Sequence, residues 1–314
     1  MKWMERISMA SILYVSSCCS SDYFFHLMKN SCGMQQQAQK FHSLLLEGFS
    51  STSAQKDVSV QTLSAPPITK GNTHKLRIPS CQMTVGNIAY NHLPVLNIPY
   101  IKNLYTLLSG FFQTRHFGKV SYKPVVICDV LNISISIGAL IAAKLQGIPT
   151  VGIVTDVPKF LSNNPNGFGT RLNTTLMNSF DSYVLLTEAM TEVVNCKNKP
   201  YTVIEGQVDI NMADMPNLLT DKYEKKVCLY AGGLQRIYGI PYLVQAFLKA
   251  DVPDAELHIY GSGDYQEELI ELCQQHPSIR YFGVKPNSDV VQAEISATLL
   301  INPRPTTEEY TKYS

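Results

Sequence analysis

The 314-residue chain carries little charge: Asp, Glu, Lys and Arg make up 16% and leave a net charge of +1. No acidic or basic excess is present to recruit nucleic acid, so none is expected as a partner. No apolar run is long enough to span a bilayer; the best candidate, residues 133–143, is too short and contains Ser134 and Ser136. The eight cysteines (18, 19, 32, 81, 128, 196, 228 and 273) form no C-x-x-C and no paired spacing. That argues against a zinc site or a disulfide framework, and they read as reduced cytosolic thiols. No D-x-D falls near a strand end, so no carboxylate pair is evident to hold a metal between phosphates. No metal and no cofactor are expected. Internal repeats and low-complexity tracts are also missing. What remains is a globular composition, 45% hydrophobic, with length for two domains of about 150 residues each.

What is present is organised around residues 226–241, read as a short apolar strand, a turn at Gly232 and Gly233, and a helix opening near Ile240. Such a βα turn aims backbone N–H groups and the positive end of the helix dipole at one place, which favours an anion, typically a phosphate. Gly232 and Gly233 have no Cβ to keep a ligand away. The turn is neither a P-loop nor G-x-G-x-x-G, and an ordinary tight βα turn reads the same way. The pattern then recurs. A helix (240–249) precedes the strand Ala255–Tyr260, a second glycine turn (Gly261, Ser262, Gly263, Asp264) and a helix from Tyr265 to Gln275. Further on come a strand ending at Gly283, a helix over 288–297 and a strand at 298–302. Alternation of this kind predicts a parallel sheet covered on both faces. Ligands in such sheets sit at the carboxyl ends of the strands, where these glycines fall.

In order and spacing, Tyr-Ala-Gly-Gly-Leu at 230–234, Tyr-Gly-Ile at 238–240, Leu-His-Ile-Tyr-Gly-Ser-Gly-Asp at 257–264 and Ile-Arg-Tyr-Phe-Gly at 279–283 resemble glycosyltransferase family 4. They match its C-terminal, nucleotide-sugar-binding domain. The resemblance implies an α/β chain of two Rossmann-like domains facing a cleft, the GT-B fold. An N-terminal acceptor-side domain would span 1–208, a linker 209–225 and a C-terminal donor domain 226–314. It implies transfer of a hexose from a nucleotide diphosphate sugar to a hydroxyl acceptor, with retention and without metal. Glycan or lipid-linked glycan acceptors, polysaccharide biosynthesis and a cytoplasmic location, peripheral to the membrane's inner face, follow from the family alone. Membrane contact requires a basic amphipathic face, and none is evident in the sequence.

The resemblance assigns Gly232, Gly233, Gly261 and Gly263 to the donor phosphates. Family members carry basic residues near the start of the first turn and before its later glycine. Gly233 and Tyr238 hold those positions here, which leaves Arg236 as the only basic group in the turn. Arg236 is therefore the expected phosphate contact, together with Arg304, with a solvated loop charge as the alternative for Arg236. After the last strand the family places two glutamates, separated by seven residues, against the donor. Glu308 or Glu309 fits the first, and the second would fall at 316 or 317, so the second domain is expected to be incomplete.

The N-terminal half resembles the family through 125–129, 151–158 and 201–209. A strand over 7–16 is read as the first buried strand in preference to a signal segment ending near Cys18. The loop after it (17–30) and a helix over 34–47 would shape the acceptor site around 20–33. A helix over 99–117 carries apolar residues at helical spacing: Ile101, Leu104, Tyr105, Leu108 and Phe111 or Phe112. Asn132 is placed as the cap of a helix running to Gln146. The strand at 150–154 ends in Thr155 and Asp156, where the family often has His-Asp. Thr155 replaces that histidine, so Asp156 is the candidate beside the sugar, or else the residue that turns the loop. Two rivals stay open: a nucleotide-sugar 2-epimerase of the same fold, and a non-catalytic nucleotide-binding remnant.

Overall fold

The computed structural model describes residues 10–28, 36–56, 58–71, 73–157, 167–195, 197–209 and 226–305. Glu308, Glu309, the linker at 210–225, the loop at 158–166 and residues 29–33 of the expected acceptor region lie outside the described residues. The chain divides into two compact units, and the first closes at Asp209.

The first unit is built on an eight-stranded sheet. Its strands are β1 (Ser11–Ser16), β2 (Ser59–Ser64), β4 (Cys81–Val85), β5 (Ile88–His92), β7 (Pro124–Asp129), β8 (Thr150–Val154), β9 (Ser182–Leu185) and β10 (Tyr201–Val203). Their order is β10-β9-β8-β7-β1-β2-β5-β4. Every neighbouring pair is parallel except the β4–β5 hairpin. Two short antiparallel strands, β3 (Arg77–Ile78) and β6 (Val95–Leu96), pair apart from the sheet. The central strands are apolar throughout because both faces are covered. Leu13, Val15, Val126 and Cys128 enter one core, while Tyr14 and Ile127 enter the other with Leu46.

The helices of this unit are α1 (Ser21–Met28), α2 (Gln36–Lys56), α3 (Ile101–Val120), α4 (Ile133–Leu145) and α5 (Phe168–Met177). Helix α1 replaces the loop that the polar Ser/Cys composition suggests. Tyr23 and Phe24 pack against Leu27, Ile68, Ile78 and Val95, and that cluster orders the segment. Residues 81–92 form two strands folded about Gly86, whose φ of 56° makes the hairpin.

Helix α3 is found where expected, with its apolar stripe facing out. Its buried residues are Thr106, Gly110, Thr114 and Phe117, while Ile101, Leu104, Tyr105, Leu108 and Phe112 are exposed. The cause is close helix packing. A Cβ on Gly110 would overlap the Ile135 carbonyl of α4, and one on Gly138 would overlap the Leu107 carbonyl of α3. The two backbones approach through their small residues, and the large apolar side chains are left outside. Among the described residues no helix is long and apolar enough to cross a membrane.

The second unit has a four-stranded parallel sheet ordered β13-β12-β11-β14, from β11 (Lys226–Ala231), β12 (Ala255–Tyr260), β13 (Ile279–Gly283) and β14 (Leu299–Leu300). Helices α6 (Ile240–Ala250), α7 (Gln266–Gln275) and α8 (Asn287–Ser296) connect the strands. Tyr230, Leu257 and Ile259 of the sheet pack with Ile240, Leu243, Val244 and Leu269. Pro241 stands in the first turn of α6, where its missing N–H costs nothing.

Candidate functional site

In both units the strand order reverses at one point, between β1 and β7 in the first and between β11 and β14 in the second. Crevices outside the carboxyl ends of the strands at such points are where open α/β sheets hold ligands.

In the second unit this point is bounded by Gly232 and Gly233 after β11 and by Pro303 and Arg304 after β14. Arg236 to Tyr238 form a single 3-10 turn, and Gly239, at φ 85°, leads from it into α6. The turns after β11 and β12 interlock. Gly232 N–H donates to the Tyr260 carbonyl at 3.1 Å, Leu234 N–H to the Ser262 carbonyl at 2.9 Å, and Tyr265 N–H back to the Leu234 carbonyl at 3.0 Å. Two phenols fix the glycine carbonyls from below: Tyr230 Oη donates to Gly233 at 2.7 Å and Tyr281 Oη to Gly261 at 2.8 Å. Side chains at Gly261 and Gly263 would collide with the backbone of Gly232 and Leu234. Those two glycines are thus required by turn-to-turn packing, whatever a ligand asks of them.

Arg236 is brought to the same end of the sheet. Its N–H donates to Asp264 Oδ1 at 2.8 Å, its guanidinium stacks 5.0 Å from the Tyr265 ring, and it pairs with Glu268. Both partners of that pair are about half exposed, so solvent screens the attraction. Arg304 lies over the Tyr238 ring at 4.7 Å. The six predicted donor residues therefore belong to one unit and one edge. Asp156 belongs to the first unit, at the carboxyl end of β8 and half-buried.

The reversal in the first unit is occupied by residues that the motif reading passes over. Asp129 ends β7 and is 3% exposed; His42 of α2 is 2% exposed. His42 Nε2 lies 3.1 Å from Asp129 Oδ2, and His42 Nδ1 lies 2.6 Å from Tyr14 Oη. Asp129 Oδ1 accepts from Leu131 N–H at 3.0 Å, and Oδ2 accepts from Asn132 Nδ2. Asn132 stands at the N-cap position of α4, as expected, but its side chain makes no capping bond. It is held instead by Asp129 and by Ser17 Oγ at 3.4 Å. Beside them the 17–19 segment is tied to α2 through Gln39, whose Oε1 accepts from Cys19 N–H at 2.8 Å and whose Nε2 donates to the Ser17 carbonyl at 2.9 Å. The signal for Asp129 was an acid closing an apolar strand, the same signal that drew attention to Asp156.

His92 closes β5 at the same edge. It is buried and stacked on Tyr23 at 4.2 Å, and neither ring nitrogen has a hydrogen-bond partner among the described residues. Burial lowers its pKa from the ordinary 6.5 to about 4. Above pH 6.5 the ring is neutral whether the chain is folded or unfolded. As pH falls from 6.5 towards 4 only the unfolded chain takes up the proton, so stability drops, and the loss levels off below 4. A loss of about 3 kcal/mol across that window is expected. His92→Phe keeps the stack and removes the titration. Urea midpoints measured at several pH values should be flatter for the variant over this range.

No protein-family model matches the chain, and no curated protein matches it by sequence. Solved structures do match its architecture. Starch synthase IV from Arabidopsis thaliana, bound to ADP and acarbose, aligns with a TM-score of 0.62 at 9% identity, over 95% of this chain and 78% of that one. Sucrose-phosphate synthase from Thermosynechococcus elongatus gives 0.59 at 13% identity, over 95% and 76%. Anabaena HepE in complex with UDP gives 0.58 at 13% identity, over 96% and 75%. The fold is GT-B. At these identities the likeness establishes the GT-B architecture, and the chain spans about three quarters of the length of these three structures.

Proposed function

We propose that this GT-B chain is a glycosyltransferase of the family 4 type, moving a hexose from a nucleotide diphosphate sugar to a hydroxyl of a glycan or lipid-linked glycan. The observation that carries the reading is the edge of the second unit. Gly232, Gly233, Arg236 and Arg304 come together there where the strand order reverses, in a fold whose solved examples include proteins holding UDP, UDP-glucose and ADP.

In this reading the bond between the anomeric carbon and the diphosphate oxygen breaks, the acceptor hydroxyl oxygen takes its place with retention, and the hydroxyl proton passes to the leaving diphosphate. Charge accumulates on the leaving diphosphate, and preorganised donors stabilise it. The start of α6 and the guanidinium groups of Arg236 and Arg304 supply that stabilisation without a metal. Arg236 exchanges its screened partner Glu268 for the diphosphate. The resemblance to family 4 assigns Asp156 to the sugar and Glu308 or Glu309 to the donor.

A thermal-shift titration with UDP, GDP and ADP, each with and without EDTA, tests the donor site. A ligand that binds only the folded state raises the melting temperature by linkage, by about 2.7 kcal/mol of stabilisation at a hundred times Kd. One diphosphate should stabilise the chain equally with EDTA, and Arg236→Gln should weaken that shift. No shift with any of the three overturns the donor site, and a shift abolished by EDTA overturns its metal independence.

A further inference from the structure

Between the first turn of α1, the outer half of α2 and the β4–β5 hairpin lies a cavity of about 480 Å³. It reaches to the hairpin turn at Gly86, at the amino end of β5, and so lies away from the carboxyl edge where the strand order reverses. Its lining holds two carboxylates, Asp22 of α1 and Glu47 of α2, with serine hydroxyls beside them, among them Ser20, Ser43 and Ser50. No lysine, arginine or histidine stands in that lining. Neither carboxylate has an ion-pair partner among the described residues, and Glu47 accepts from Ser43 Oγ at 3.2 Å.

Tyr90 is the buried part of the wall. Its side chain packs in the core with Tyr14, Leu46 and Ile88, and only 4% of the residue is exposed. Its hydroxyl makes no hydrogen bond among the described residues. A buried hydroxyl left unpaired costs about 1–3 kcal/mol, so this one calls for a partner inside the cavity. Burial raises the phenol's pKa, and the charges of Cys18 and Glu47 raise it further. Oη therefore stays protonated and keeps its lone pairs free to accept. A fitting ligand answers two uncompensated negative charges and brings donors. A primary ammonium does both, with one positive charge and three N–H donors for the carboxylates and the phenol. A phosphate or carboxylate would be repelled. A bare metal ion fits poorly, because the described residues gather no three ligating side chains at one place.

We propose that this cavity binds a primary ammonium group, carried by a free polyamine or by an amino sugar. The inference stands on the lining of the cavity and does not depend on the donor reading.

The test is isothermal titration of the full chain with spermidine and with glucosamine, with N-acetylglucosamine and magnesium chloride as controls. At least one amine should bind, and raised salt should weaken it. Binding of spermidine alone identifies the polyamine; binding of glucosamine alone identifies the sugar. N-acetylglucosamine keeps the ring, lacks the charge and should not bind. Glu47→Gln should weaken binding about tenfold, and Asp22→Asn with Glu47→Gln about a hundredfold. Both carboxylates are exposed, so circular dichroism of these variants should match the parent. Tyr90→Phe should weaken binding about fivefold and leave the melting temperature unchanged, since the hydroxyl gives up no partner in the protein. Failure of both amines to bind, on a chain shown by circular dichroism to be folded, overturns the proposal. So does N-acetylglucosamine or magnesium binding as tightly as the amines, or amine binding unchanged in the double variant.

Discussion

Gly261→Ala should destabilise the second unit by about 2–6 kcal/mol. Gly261 has φ 127°, a conformation that costs an L-residue about 1–3 kcal/mol. A Cβ there would also overlap the carbonyl oxygen of Gly232, part of the neighbouring turn's backbone and not a side chain free to rotate away. Overpacking of that kind adds about 1–3 kcal/mol. Together, at about 2–6 kcal/mol, they reach the lower end of a small domain's stability, about 5–15 kcal/mol. The turn after β12 can relieve the overlap only by giving up Gly232 N–H to Tyr260, Leu234 N–H to Ser262 and Tyr265 N–H to Leu234. Gly86→Ala is the control. It also has positive φ, 56°, but a Cβ there meets nothing within 4 Å, so only the backbone term of about 1 kcal/mol applies. Guanidinium denaturation of both variants, followed by circular dichroism, checks the contrast. Equal losses would show that the turns do not interlock as described.

The same interlocking explains how far the sequence could be read. Alternating apolar runs and glycine turns suffice for the parallel sheets, because a strand buried on both faces has to be apolar and a βα turn has to be small. What they cannot give is which glycine serves a ligand and which serves a neighbouring turn. Gly261 and Gly263 are required by the backbone of Gly232 and Leu234, a contact between segments some thirty residues apart. Helix α3 shows the same limit. Its apolar period is real, but the buried side is chosen by Gly110 and Gly138, which let α4 approach. Small residues leave no hydrophobic signature, so the period alone points to the wrong face. Helix α1 was hidden for another reason: its Ser-rich start reads as loop, and only packing of Tyr23 and Phe24 on residues 68–95 makes it helical.

Asp129→Ala should cost the first unit about 3–5 kcal/mol, because removing one partner of a buried polar pair strands the other. Three donors lose their acceptor at once: Leu131 N–H, Asn132 Nδ2 and the ring of His42. His42 cannot turn to water at 2% exposure, and its other nitrogen is already taken by Tyr14. Tyr14→Phe removes one hydroxyl and leaves His42 Nδ1 without its partner, at about 1–3 kcal/mol. His42→Leu similarly strands Tyr14 Oη and removes one of the two partners of Asp129 Oδ2. The double variant Tyr14→Phe, His42→Leu should therefore cost less than the two single changes added together, by about 1 kcal/mol or more, since one stranded partner disappears with the other. Urea denaturation of the four proteins at neutral pH measures that coupling. Simple additivity would mean that the contact between ring and phenol is incidental. Coupling would identify these three side chains as the clamp that holds α2, β1 and the β7–α4 turn together. That clamp sets the shape of the first unit's edge at the point where its strand order reverses.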